Sequence, residues 1–103
     1  NGLAFREIDS LRVAGNHEPV RVFELMGYAK DLSDAQKQLV DAFEQGLAAY
    51  RKQDWDAAEA AFRAALALAP DDPPSQVFLE RIGVFRSSPP PADWDGVWVA
   101  TSK

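Results

Sequence analysis

The chain has no cysteine, one histidine and one methionine. The missing cysteine excludes disulfides and thiolate metal sites and fits a reducing compartment, so a cytoplasmic location is expected. His17 alone cannot build a histidine cluster, and within Gly15-Asn16-His17-Glu18-Pro19 it reads as a solvated turn residue. No apolar run approaches the roughly 20 residues that cross a bilayer. Positive charge is also scarce, with 11 Lys and Arg against 16 Asp and Glu and a net charge of −5. Without a basic patch to displace counterions, neither nucleic acid nor direct membrane contact is expected. No secretory signal opens the chain, and a start at Asn1 reads as a trimmed or processed piece. Gly-rich phosphate loops and Ser/His/Asp sets are missing too. What remains, 103 residues of which 47% are hydrophobic, suits a small soluble domain with a modest core.

Residues 4 to 25 are rich in strand formers: Phe5, Ile8, Leu11, Val13, Val20, Val22, Phe23 and Leu25. They predict two strands around the turn at Gly15–Pro19, whose residues supply positive-φ positions and a terminating Pro. Alternation breaks between Ile8 and Leu11, which predicts a bulge near Asp9-Ser10. Both strands carry apolar residues on both faces, and a lone hairpin cannot cover two faces. The strands therefore read as cut from a larger sheet, with a linker over residues 26–32.

Three helices are predicted next. Ser33 with Gln36 forms a capping box, and Leu39, Val40, Phe43, Leu47 and Tyr50 make one apolar stripe to about Lys52. Asp54 caps a second helix that carries Trp55, Ala58, Ala61, Phe62, Ala65 and Leu66 on one face and stops at Pro70. The short turn between the two predicts an antiparallel pair. Asp72-Pro73 opens a third helix, with Val77, Phe78, Ile82 and Phe85 inward, that ends before Ser87. Pro89-Pro90-Pro91 then forms a stiff spacer. The tail through Trp94, Val97, Trp98 and Val99 is too apolar to be idle, and it is expected either on the helices or as a strand on the hairpin edge. These four residues are the candidate interaction surface.

The fold class expected is thus mainly α with a small β element: an N-terminal β-hairpin, a three-helix unit and an extended Trp-containing tail. The helical pair resembles a tetratricopeptide repeat (TPR), a period of about 34 residues with small residues at the helix crossing and a terminal Pro. Gly46, Ala58, Phe62, Ala65 and Pro70 carry that resemblance, whereas Ala42 replaces the usual Trp and Tyr50 lies one place beyond the usual aromatic.

The hairpin, Leu11 to Leu25, resembles the closing strands of class III adenylate and guanylate cyclases, which read Val-Lys-Gly-Lys, Glu-Pro-Val and Val-Tyr-Glu-Leu. Some bacterial members continue into a repeat-like helical hairpin, a Pro-rich stretch and a tail like Asp95-Gly96-Val97-Trp98-Val99. The resemblance divides the chain into 1–27, the last cyclase strands, 33–86, the TPR-like hairpin with a capping helix, and 87–103, the spacer and Trp tail. It implies a parent that converts ATP to cyclic AMP and pyrophosphate with two divalent metal ions, Mg or Mn. The implied partners are the rest of the catalytic domain and a second copy in a homodimer, and any membrane anchor would lie upstream. Ala14 and Asn16 stand where the family has lysines, so the turn supplies no cation to a triphosphate.

The segment itself is expected to hold no catalytic, cofactor or metal residue. Its carboxylate pairs, Asp54 with Asp56, Asp71 with Asp72 and Asp93 with Asp95, sit at helix starts or turns, where they cap N–H groups. Trp55, Phe62 and Phe43 read as repeat core. The alternative to the cyclase reading is an independent TPR-like protein–protein interaction module.

Overall fold

A computed structural model describes residues 2–13 and 18–100. The elements run β1 (Leu3–Val13), β2 (Val20–Tyr28), a 3-10 turn at Ala29–Asp31, α1 (Asp34–Arg51), α2 (Trp55–Leu68), α3 (Pro73–Ser87) and β3 (Trp98–Ala100). The fold is mainly α with a small β element. Two compact units form: Ser33–Trp94, and Asn1–Leu32 with Asp95–Lys103. Residues 14–17, with Ala14, Asn16 and His17 of the turn, lie outside the described residues.

In the helical unit every start has a local cause. Ser33 Oγ accepts from Gln36 N–H at 3.1 Å, and Gln36 Oε1 accepts from Ser33 N–H at 2.8 Å, closing the capping box. Asp54 Oδ1 accepts from Ala57 N–H at 3.3 Å and opens α2. Asp72 precedes α3 with Pro at its first positions, yet its carboxylate makes no cap bond to the backbone. It accepts instead from the buried Ser75 hydroxyl at 2.6 Å.

The core is built from α1 residues Leu39, Phe43, Leu47 and Tyr50, α2 residues Ala58, Phe62 and Ala65, and α3 residues Phe78 and Ile82. Tyr50 meets Trp55 while Phe43 meets Phe62, so residue numbers fall along one helix as they rise along the other, and the pair is antiparallel. The Phe62 ring stacks on Phe78 at 5.1 Å and lies edge-on to Phe43 at 5.3 Å. Gly46 sits over that ring: a Cβ there would lie 2.7 Å from Phe62 Cε1 and 2.9 Å from Cδ1 and Cζ. The small residue is required by the crossing.

Two expectations on α3 need correction. Val77 is 41% exposed, because it lies about 100° of helical rotation from Phe78, beyond the flank of the buried face. The helix also runs through Ser87 before it ends. Arg81 of the same helix is buried instead, with its guanidinium 4.9 Å from the Phe78 ring centroid.

The second unit is a three-stranded sheet in the order β2-β1-β3. β1 and β2 pair antiparallel, with register irregularities between Glu7 and Asp9 and between Ala4 and Phe5. The first lies beside the bulge expected near Asp9-Ser10; the second has no counterpart in the sequence pattern. It is accommodated at Gly27, whose φ of 116° L side chains rarely adopt. β2 therefore continues to Tyr28, paired with Leu3, where a linker from residue 26 was expected.

Replacing Gly46 by Ala sets a gain in helix propensity of about 1 kcal/mol against overpacking of about 1–3 kcal/mol. The Phe62 ring is held between Phe43 and Phe78 and cannot withdraw, so overpacking wins. Gly46→Ala should lower the melting temperature by roughly 5–15 °C in a circular-dichroism melt. An unchanged or raised value contradicts the close approach.

Candidate functional site

The four tail residues singled out by sequence fall into two settings. Trp94 belongs to the helical unit, whereas Val97, Trp98 and Val99 belong to the sheet unit. The side chain of Val99 lies outside the described residues.

Around Trp94 the local geometry begins at the end of α1. Gln53 N–H donates to Tyr50 O at 3.0 Å and Asp54 N–H to Ala49 O at 2.9 Å, the paired bonds of a Schellman ending. Such an ending needs a left-handed residue, and Gln53 supplies it at φ 63°. Its side-chain Nε2 then donates to Pro91 O at 2.8 Å. The same carbonyl accepts from Trp94 N–H at 3.0 Å, turning the chain after the Pro run. The Trp94 ring is thereby held 5.1 Å from Phe85, 5.3 Å from Tyr50 and 6.2 Å from Trp55, centroid to centroid. Trp55 stacks on Phe85 at 5.2 Å. The result is an aromatic seat made by the end of α1, the start of α2 and the end of α3, with Trp94 in it.

In the sheet unit, Asp95 Oδ1 accepts from Val97 N–H at 3.1 Å, an Asx turn that brings in β3. Asp95 Oδ2 accepts from Arg12 at 3.1 Å. The Val97 N–H bond first, and the Arg12 pair second, hold the Asp95 carboxyl below its ordinary pKa. β3 pairs parallel with β1, Leu11 opposite Trp98 and Arg12 opposite Val99. Val97 is buried and Trp98 half-buried.

A second surface lies on one face of the hairpin. Register and alternation place Leu3, Phe5 and Glu7 opposite Tyr28, Leu25 and Phe23. The five apolar members are 45–57% exposed. Arg21 donates to both Glu7 oxygens, at 2.9 and 3.1 Å, and lies over the Phe23 ring. On the other face Arg6 is buried and pairs with Glu24, its cross-strand partner.

Several members of the carboxylate pairs have identified partners, some local and some distant in the chain. Asp54 caps α2, Asp72 holds Ser75, and Asp56 pairs with Arg86 at 2.9 Å. Among the described residues no three His, Cys, Asp or Glu side chains converge as a metal site would need. Arg12 and Arg21, the arginines flanking the turn, bind Asp95 and Glu7. Sequence reasoning overlooked Gln53, Arg6 and Arg81. A polar residue one place before an N-cap Asp signals a helix C-terminal turn, but nothing local signals its contact with Pro91.

Because the folded-state pKa of Asp95 is depressed, its contribution is complete above the unfolded-state value and is lost as pH falls through the folded-state value. Hydrogen exchange should therefore show the Val97 and Trp98 amides losing protection as pH drops below about 4. Asp95→Ala should show that loss at neutral pH. Protection that ignores both changes contradicts the assignment.

The helical geometry has a counterpart among known families: a model of the tetratricopeptide repeat matches residues 40–72. That stretch holds Gly46, Ala58, Phe62, Ala65 and Pro70 and leaves the hairpin unmatched. No curated protein and no solved structure matches the chain.

Proposed function

We propose that this chain works in protein–protein association, with the TPR-like helical unit as its rigid scaffold. The observation that carries the reading is the repeat match over residues 40–72, falling on a helix pair whose crossing is closed by Gly46 against Phe62. Repeats of this family generally bind other proteins, and the inference from them is one of analogy. One repeat with a third helix is too short for an extended concave groove, so the contact area on the helices is small and a second surface is needed. The exposed row Leu3, Phe5, Phe23, Leu25 and Tyr28 is suited to that role.

The same row favours a second reading, in which the hairpin is the closing edge of a class III cyclase catalytic domain. Strands apolar on both faces fit a larger sheet, and the rest of that domain would be the partner. The chemistry, ATP to cyclic AMP with two divalent ions, would then reside outside these residues. The gene-length protein supplied with ATP and Mg or Mn should form cyclic AMP; a preparation that forms none ends this reading.

For the association reading, a photo-crosslinking residue placed in living cells at exposed Gln38 of α1, or at Leu25 of β2, should yield a discrete protein adduct. Excess unlabelled chain should suppress it. Absence of any adduct at both positions contradicts the proposal.

A further inference from the structure

We propose that the outer edge of β2, along Val20–Leu25, takes up an extended segment of a partner protein as an added strand, one that carries apolar and basic side chains in alternation. The inference deepens the association reading by naming the kind of partner, and it rests on that reading for its biological role alone.

Backbone valence sets the site. With strand order β2-β1-β3, β2 lies at the edge of the sheet among the described residues. Successive N–H groups of a strand point to opposite sides, so every second residue of β2 offers its N–H and C=O outward. Register fixes how long that edge is. Each residue from Val20 to Leu25 has its own β1 partner. Between Glu7 and Asp9 the unmatched residue is Ile8 of β1, whereas between Leu25 and Gly27 it is Met26 of β2. β2 is thus regular from Val20 to Leu25 and is interrupted only at Met26, before Gly27 with its φ of 116°. At about 3.4 Å per residue this is a template of about 20 Å.

Sheet edges are commonly closed to strangers by Pro, by Lys or by other charges. Residues 20–25 hold no Pro and no Lys. Their two charges, Arg21 and Glu24, are both drawn back toward β1. Arg21 donates to Glu7 at 2.9 and 3.1 Å, and Glu24 accepts from Arg6. Val20, Phe23 and Leu25 are about half exposed, so the edge is largely apolar.

The same side chains select the occupant. Alternation puts Arg21, Phe23 and Leu25 on one face and Val20, Val22 and Glu24 on the other. An incoming strand extends the apolar row with apolar side chains beside Phe23 and Leu25. Its alternate residues pass Glu24, where a Lys or Arg is favoured. A second copy is a poorer occupant. Directly opposed residues of an antiparallel pair share a face, so no antiparallel register of β2 against itself sets Arg21 opposite Glu24. Two chains of net charge −5 also repel each other.

Hydrogen exchange of the whole chain tests this with a defined probe, the acetylated hexapeptide amide Val-Lys-Val-Lys-Val-Thr. Exchange at the outward amides of Val20–Leu25 should slow about tenfold at about 10 mM peptide, for a dissociation constant on the order of 1 mM. Replacing both peptide Lys by Glu should weaken the slowing by about threefold or more. A fully N-methylated peptide keeps the side chains but donates no backbone hydrogen bond, and should have no effect. Val22→Pro and Phe23→Pro remove neighbouring N–H groups, one facing β1 and the other the open edge. The variant that keeps its fold by circular dichroism should lose the response; should neither fold, the N-methylated peptide decides. Amides that ignore the basic peptide, or slowing that survives N-methylation, overturn the inference. So does protection that grows with chain concentration alone, which marks a second copy, or edge amides already protected in the gene-length protein, which mark its own chain. If the edge fails while Gln38 or Leu25 still yields an adduct, the association reading stands without it. Slowing by the basic peptide with no adduct at either position upholds the edge and ends the association reading.

Discussion

The helical unit depends on one close approach, Gly46 of α1 against the ring of Phe62 of α2. That ring also stacks on Phe78 of α3 and meets Phe43 edge-on, so the positions of three helices are referred to a single side chain. The turn between α1 and α2 has its own local causes: α1 ends at Arg51, Gln53 takes the left-handed position, and Asp54 caps α2, which begins at Trp55. Tyr50 and Trp55 are then neighbours across the turn, and with Phe85 they complete the seat for Trp94. The aromatic cluster at the end of the unit thus rests on the local turn as well as on the helix crossing.

The sheet unit is organised on a different principle. Its apolar row Leu3, Phe5, Phe23, Leu25 and Tyr28 is about half exposed, and its described polar contacts include the cross-strand ion pairs of Arg6 with Glu24 and Arg21 with Glu7. Backbone pairing and such pairs hold strands together but remove little apolar area from water. The helical unit thus has a finished core, while the sheet presents an apolar row that is not covered. A chain with one finished and one unfinished surface is suited to association, which agrees with the repeat match over residues 40–72.

Features with a local cause were legible in advance. The capping box of Ser33 and Gln36, the cap at Asp54 and the proline start of α3 each need only residues within one helical turn, and all are present. Gly46 was legible because small and aromatic residues recur at the offsets a helix crossing requires. Val77 misled because an apolar residue on the flank of a weakly amphipathic helix looks like one on its buried face. Gly27 misled in the opposite sense: a glycine near a strand end reads as a linker, yet here its positive φ lets β2 continue to Tyr28. Buried Arg6 and Arg81 left no signal, since arginine counts as a surface residue until a cross-strand carboxylate or an aromatic face is placed beside it.

By itself, the sequence determined where the helices begin, the apolar faces of α1 and α2, and the acidic balance of the chain. Each follows from short-range hydrogen bonding, periodicity or composition. The tertiary structure alone decided that Trp94 would sit among Tyr50, Trp55 and Phe85, that β3 would pair parallel to β1, and that Arg12 would meet Asp95 across 83 residues of chain. Contacts at that separation cost loop-closure entropy and are chosen by which surfaces remain after the local elements have packed. Neither quantity can be read from the neighbours of a residue in the chain.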